Sequence, residues 1–402
     1  MNILVVTPIY PRTDAPKNTT ATKVIHYFAD EWRKMGHNVC VIHTPNRLMK
    51  IFYVMPQWIK NILKAKTGNE FPDVKITKKA EYSFEGINAF RRPVFKLIPR
   101  KLSSDREIAA AARDINAFLE KTGFVPDIIL GHWATPSVQL LNELNRYYNC
   151  RKSIVFHDDY YTGAFNAKMI ECMRRIDAVG CRSVTLAEKV KKQLKLESSP
   201  FICYSGVPDD VVSTAAFDPE RAGEPLNRFI YVGELIQRKY CDVVIKALAR
   251  LNVPGWRFDV IGVGNDRGRF EQLAESLGVS DRVTFHGRVP REKVFELLAG
   301  SQCFIMPSKN EAFGLVYLEA MVSSCIAVGS VGEGIDGIIR NGENGLLVEP
   351  GNEGSLYNAL SGLMNMSAEE RTALARRGFE TAVRFTDSNV ARSYLSDAEN
   401  WK

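Results

Sequence analysis

Short apolar runs alternate with amphipathic stretches along most of the chain, in the manner of strands followed by helices. Asn2–Thr7 reads as a buried parallel strand, 22–35 as an amphipathic helix that stops at Gly36, and 39–43 as the next strand. This is a Rossmann-like opening, which puts a ligand crevice at the carboxyl end of the first strand. The strand at 127–131 runs into His132-Trp133, and that at 153–156 into His157-Asp158. Both histidines therefore stand at strand ends, where ligands are met. Residues 214–227, rich in Ala, Pro, Gly and charge, predict an exposed linker. The pattern then restarts with a strand at Arg228–Val232, a second at 260–264 ending in G-x-G, and a helix over 269–277. The predicted class is α/β.

The most informative stretch is 308–327. An apolar run at 303–307 predicts a strand, and Leu315–Val322, apolar at helical spacing, predicts a helix, so the polar residues between them form a strand-to-helix turn. Gly314 stands just ahead of that helix. The N–H groups of Phe313 to Val316 point out of the helix start, where the macrodipole favours an anion. Glu311 in the loop and Glu319, about 6 Å up the axis from Leu315, bracket the turn. Helical side chains lean toward the N-terminus, so Glu319 reaches back toward it. Two carboxylates beside an anion site suit a polyhydroxylated ligand that also carries phosphate, as a nucleotide sugar does.

At 402 residues and 45% hydrophobic composition, the chain is long enough for two domains with cores of their own. Its eight cysteines stand singly with no C-x-x-C pair, and read as reduced buried thiols of a cytoplasmic protein. The start shows no signal-peptide pattern, and no apolar run approaches the length of a membrane span, so neither export nor spanning is expected. Charge is uneven. Residues 47–101 hold 13 Lys and Arg against 4 acids, an excess of nine in a chain of net charge +7, interleaved with Ile51, Phe52, Tyr53 and Trp58. This pattern suits an anionic membrane surface, and equally a solvated basic face. No nucleic-acid motif accompanies it.

E-A-F-G-L-V-Y-L-E, with seven residues between Glu311 and Glu319, resembles the E-x7-E signature of the retaining glycosyltransferases of family four. Ala312 stands where most members have glycine. The resemblance implies a GT-B fold, two Rossmann-like domains facing each other across a cleft. Residues 1–206 would bind the acceptor, with a helix at about 385–402 packing back on them, and 207–384 would bind the nucleotide sugar. It also implies roles. Glu311 would face the reacting sugar and Glu319 the ribose, with Ala312, Phe313, Gly314 and Leu315 along the donor. G-E-L-I-Q-R-K-Y at 233–240 resembles the family's V-G-R-L-x-x-x-K-G segment, which places Gly233 at the donor and Arg238 and Lys239 on the diphosphate leaving group, although Glu234 replaces the usual arginine. Gly264 follows in the next loop, and Arg288 and Val289 close a segment whose backbone would receive the base. His132 would lie by the donor sugar, and His157-Asp158 resembles the family's H-D pair. The loop after the first strand has no glycine pair, so Lys17, Asn18 and Thr19 would serve the acceptor side instead. Residues 332–351 resemble the loop before the family's final strand.

Taken together, the sequence predicts a retaining glycosyltransferase that moves a sugar from a nucleotide-diphosphate sugar to an acceptor hydroxyl in bacterial cell-surface polysaccharide or glycolipid synthesis. The acceptor would be a lipid-linked glycan, and the enzyme would sit on the inner face of the plasma membrane through 47–101. No metal and no cofactor are expected, because no Asp or His cluster stands at ligand spacing. A nucleotide-sugar epimerase of the same architecture is the alternative. A Rossmann oxidoreductase fits less well, since the third glycine of its fingerprint is missing, with Arg267 in its place.

Overall fold

The computed structural model of the protein describes residues 1–13, 22–67, 76–98, 101–157, 167–251 and 253–401. Two units emerge. One comprises Met1–Arg182, Leu186–Cys203 and Ala391–Lys402; the other comprises Ser183–Thr185 and Tyr204–Val390. The last helix, Asp387–Asn400, starts in the second and continues in the first, where the Trp32 indole donates to the Ala391 carbonyl at 2.9 Å.

Among the described residues, ten strands lie in the first unit: β1 (Asn2–Thr7), β2 (Asn38–His43), β3 (Asn46–Arg47), β4 (Ala80–Phe84), β5 (Ile87–Arg91), β6 (Val94–Phe95), β7 (Ile128–His132), β8 (Arg151–Phe156), β9 (Ala178–Cys181) and β10 (Phe201–Ile202). β3 and β6 pair with each other, and the rest form one sheet in the order β10-β9-β8-β7-β1-β2-β5-β4. Only β4 is antiparallel, returning to β5 through Glu85 and Gly86, both at positive φ. β1 is fully buried from Ile3 to Val6, as a parallel strand covered on both faces must be. Asp105–Thr122 covers one face. Ser104 Oγ caps its start by accepting from the Glu107 N–H, and Gly123 at φ +66° closes its end. Because β1 neighbours β7, the strand order reverses between them, and their loops open the crevice.

The second unit repeats the plan with β11 (Arg228–Val232), β12 (Arg257–Ile261), β13 (Val283–Gly287), β14 (Cys303–Ile305), β15 (Ile326–Ser330) and β16 (Leu346–Val348). They are parallel in the order β13-β12-β11-β14-β15-β16, so the order reverses between β11 and β14. Phe229, Ile230, Tyr231, Phe304 and Ile305 form the middle of its core.

The linker expected at 214–227 is corrected here. It contains a short helix, Pro219–Gly223, capped by Asp218, and it is docked through Arg221, Ala222 and Leu226, which are buried, while Glu224 and Pro225 between them stay exposed. The charge that reads as exposure includes Arg221, which is buried and donates to the carbonyls of Leu298, Ser301 and Ser323. A guanidinium offers enough donors to satisfy several loop carbonyls at once.

Candidate active site

Two loops leave the carboxyl edge of the second sheet at its reversal point, one after β11 and one after β14. The β14 loop reaches the helix Leu315–Val322 through Gly314, whose φ of +80° is left-handed and whose absent Cβ would lie 2.5 Å from the Tyr317 ring. Only glycine fits there without strain. Tyr317 is buried and its hydroxyl donates to the Met306 carbonyl, so the turn is braced from beneath. The β11 loop ends in a 3₁₀ turn, Gln237–Lys239. It is tied to the other by the Lys309 N–H donating to the Arg238 carbonyl at 2.8 Å and by Arg238 Nη1 donating to the Asn310 carbonyl at 3.3 Å.

Lys239 Nζ forms an ion pair with Glu311 Oε2, and both side chains are mostly covered. The sequence-predicted cation and acid are therefore in contact. Glu319, 9% exposed, takes Arg291 Nη2 at 2.5 Å and Nε at 3.2 Å, both on Oε1. Arg291 begins the helix Arg291–Ala299 immediately after Val289 and Pro290, so it brings the segment expected to receive a base next to the second acid. Sequence reasoning overlooked this arginine, and only its place directly after the quoted segment could have flagged it. It also assigned no role to Glu333, whose Oε2 accepts the Glu311 N–H at 2.8 Å. Around the turn, Phe313 is buried, Ala312 and Leu315 are half-buried, Val289 is half-buried and Arg288 is exposed.

The glycines after β11 and β12 also let backbone pack closely on backbone. A Cβ on Gly264 would lie 2.1 Å from the Leu235 carbonyl oxygen, and one on Gly262 would lie 1.8 Å from that of Gly233. The loops at 233–235 and 262–264 press backbone on backbone, which fixes the path of the chain into Arg238 and Lys239. Among the described residues no three His, Cys, Asp or Glu side chains could hold a metal ion.

At the reversal point of the first sheet stands His132. It is fully buried, its Nδ1 3.0 Å from His157 Nε2 and its Nε2 3.3 Å from the Tyr394 hydroxyl. Burial, with the nearby Arg182 charge, pushes its pKa down to about 3, so the ring is neutral at physiological pH. Its two nitrogens are occupied, and a ligand contact would need one of these bonds to break. His157 is likewise held well below the usual range by burial, Arg182 and His132, and it stacks on Trp133 at 3.8 Å. Asp158, Lys17, Asn18 and Thr19 lie outside the described residues.

Not all of the basic segment 47–101 lies at the surface. Lys60, Arg91, Arg92 and Lys96 are buried. Arg92 pairs with Glu107 and Asp114, and Lys96 Nζ donates to Thr135 Oγ1 at 2.6 Å, with burial lowering its pKa to about 7. Part of the excess charge is thus internal. Lys50, Lys78, Lys79 and Lys101 are exposed, and so are apolar residues: Ile51 and Val54 on the helix Ile51–Val54, and Trp58, 65% exposed, and Ile62 on the helix Gln57–Thr67. All eight cysteines are free, and only Cys150 is less than fully buried. No helix among the described residues is long and apolar enough to cross a membrane.

Residues 213–381, the span that carries these paired loops, match the family described as glycosyl transferases group 1. The lipopolysaccharide core biosynthesis glycosyltransferase LpsE of Rhizobium meliloti (strain 1021) is 30% identical over 302 residues, covering 74% of this chain and 81% of that protein. The chain is a group 1 glycosyltransferase. Solved structures agree on the fold. Sucrose-phosphate synthase from Thermosynechococcus elongatus superposes with a TM-score of 0.68 at 17% identity, covering 98% of each chain. The Anabaena protein HepE, in complex with UDP, superposes with a TM-score of 0.67 at 14% identity, covering 99% of this chain and 100% of its own. The glycosyltransferase therefore has the GT-B fold, and the paired loops belong to the portion that matches the family.

Proposed function

We propose that the glycosyltransferase moves a sugar from a nucleotide-diphosphate sugar to an acceptor hydroxyl with retention of configuration, in the synthesis of lipopolysaccharide or a similar envelope glycan. The observation that carries this reading is the Lys239–Glu311 pair at the reversal point of the second sheet, beside a helix start. A ligand that brings its own phosphate anion competes with Glu311 for Lys239. As the diphosphate takes Lys239 and Arg238, the Glu311 carboxylate is released to accept from sugar hydroxyls. The N–H groups at the start of Leu315–Val322 add to the neutralisation, and charge building on the departing diphosphate is met by groups already in place. Glu319 accepts from the ribose. Leaving group and incoming hydroxyl occupy the same face of the sugar, which retains its configuration.

The choice of donor is supported by HepE, solved with UDP and also with UDP-glucose, and the choice of product by the name of LpsE. The acceptor is read as a lipid-linked glycan. The exposed Ile51, Val54, Trp58 and Ile62 would dip into an anionic membrane surface, with the accessible lysines and arginines of 47–101 beside them. The protein would then work on the cytoplasmic face of the membrane.

The test is to incubate the protein with UDP-, GDP- and ADP-sugars, with and without a lipid-linked acceptor extract, and to follow the anomeric configuration of the product by NMR. Transfer that needs the acceptor and keeps the donor's anomeric configuration is the expected result. Transfer with inversion overturns retention, and a new nucleotide sugar formed from the donor alone overturns transfer in favour of the epimerase.

A further inference from the structure

The Lys239–Glu311 pair is flanked on both sides by left-handed backbone that is not glycine. Tyr240, next to Lys239, has φ +53° and ψ +38°, and Asn310, next to Glu311, has φ +55°. Asparagine tolerates that region, but a bulky tyrosine is strained in it and persists only where its surroundings hold it. The family segment that 233–240 resembles ends in K-G, whereas here it ends in K-Y.

Tyr240 serves two elements at once. Its N–H donates to the Gln237 carbonyl at 3.1 Å and closes the 3₁₀ turn that carries Lys239, while its carbonyl accepts from the Val243 N–H at 3.1 Å and starts the helix Cys241–Arg250. The ring supplies the hold. Its outer edge lies against Gly351, whose absent Cβ would stand 2.6 to 2.8 Å from three ring carbons, so that position admits no side chain. Gly351 is fixed in turn by its N–H, which donates to the Pro307 carbonyl at 3.1 Å, and Pro307 stands in the β14 loop that carries Glu311. The ring therefore ties the turn of the cation to the loop of the acid through a third segment. Glycine would take up the same φ without strain, yet it would leave that turn unanchored.

We propose that Tyr240 is a positioning residue: with its ring lodged on Gly351, it holds Lys239 Nζ where the donor's diphosphate meets it. The inference rests on the donor reading above. A cation on a loose turn has to be ordered when the phosphate arrives, and that cost weakens binding, whereas a cation held beforehand avoids it. Because Lys239 touches the acid that faces the sugar, the phosphate it meets is the one bonded to the sugar, which a nucleoside monophosphate lacks.

Calorimetric titration of the full chain with UDP and UMP, GDP and GMP, and ADP and AMP tests this. The proteins are the wild type, Tyr240→Gly, Tyr240→Phe, Lys239→Ala and the double variant of Lys239→Ala with Tyr240→Gly. The wild type is expected to bind the diphosphate of its preferred pair about tenfold more tightly than the monophosphate, the order of one hydrogen bond between charged groups. Tyr240→Gly, which keeps the backbone and loses the ring, should weaken the diphosphate about fivefold, the order of ordering one long side chain, and leave the monophosphate unchanged. Tyr240→Phe should match the wild type. In the Lys239→Ala background the glycine should cause no further loss, because its effect passes through Lys239. If Tyr240→Gly does not fold, Gly351→Ala, which drives a methyl into the ring from the other loop, decides in its place by the same selective loss. An unchanged ratio, equal weakening of both nucleotides, a matching loss in Tyr240→Phe, or a loss that persists without Lys239 overturns the inference. Binding of no nucleotide, or a diphosphate affinity that Lys239→Ala leaves unchanged, overturns the donor reading on which it rests.

Discussion

The two sheets share one plan, each opening where its strand order reverses, yet they furnish the opening differently. The first places His132 there, buried, neutral and with both nitrogens occupied. The second places Lys239 with Glu311 and Arg291 with Glu319, ion pairs that are mostly covered yet keep an exposed edge. A buried neutral ring is part of the packing, and moving it disturbs a core. A partly covered ion pair already holds separated charge that an arriving diphosphate or hydroxyl can take over without unpacking anything. The same architectural position therefore holds a closed, neutral ring in one sheet and separated charge in the other.

The difference can be broken most forcibly at Lys239. Lys239→Ala, and Arg238→Ala beside it, should each lower turnover by about 10²–10³, the order expected for one preorganised charge contact. The melting temperature should change little for the exposed Arg238 and fall for Lys239, whose loss leaves Glu311 covered and unpaired. Unchanged steady-state turnover in both variants would take the pair out of the mechanism. Glu319→Gln should act on donor binding instead, weakening it by about 1–3 kcal/mol in KM while leaving kcat nearly intact. Glu311→Gln should do the reverse, so kinetics over a range of donor concentrations separate the two acids.

The first sheet should answer to pH rather than to substrate. His132 has a folded pKa of about 3 against 6.5 when unfolded, so the unfolded chain binds the proton first as pH falls. The stabilisation is complete above pH 6.5 and declines from there toward pH 3, with roughly 2 kcal/mol lost by pH 5. Urea midpoints at pH 7 and pH 5 check this. Replacing His132 by Phe should flatten the dependence, although His157 keeps a contribution of the same sign. The smallest effect concerns the membrane. Sedimentation with anionic vesicles at low salt should carry the wild type down, salt should release it, and Trp58→Glu with Ile62→Glu should weaken the attachment. A wild type that stays in the supernatant contradicts that part of the proposal.

The repeated strand–helix pattern and the turn at 308–314 were legible because each depends on local period: parallel strands are continuously apolar, and a helix start after Gly314 shows in a few residues. The contact between Lys239 and Glu311 was approached through a resemblance, since nothing local joins residues 72 positions apart. Arg291 and Glu333 were not legible, because what makes them interesting is the atom each touches across a loop. Arg221 and Lys96 misled for the opposite reason. A charged residue reads as exposed unless its partners are known, and theirs are backbone carbonyls and a threonine hydroxyl contributed by distant segments. His132 was correctly placed at a strand end, but its closure depends on Tyr394, more than 250 residues away in the last helix.

The most direct test of the central claim, that the second sheet's opening is where the donor diphosphate binds, is hydrogen exchange followed by mass spectrometry with UDP, GDP or ADP added alone. Slowed exchange should concentrate in 233–240, 288–292 and 309–319, and Lys239→Ala should reduce it. Protection confined to the first unit, around β1 and β7, with the second unit's loops unchanged, would contradict the account.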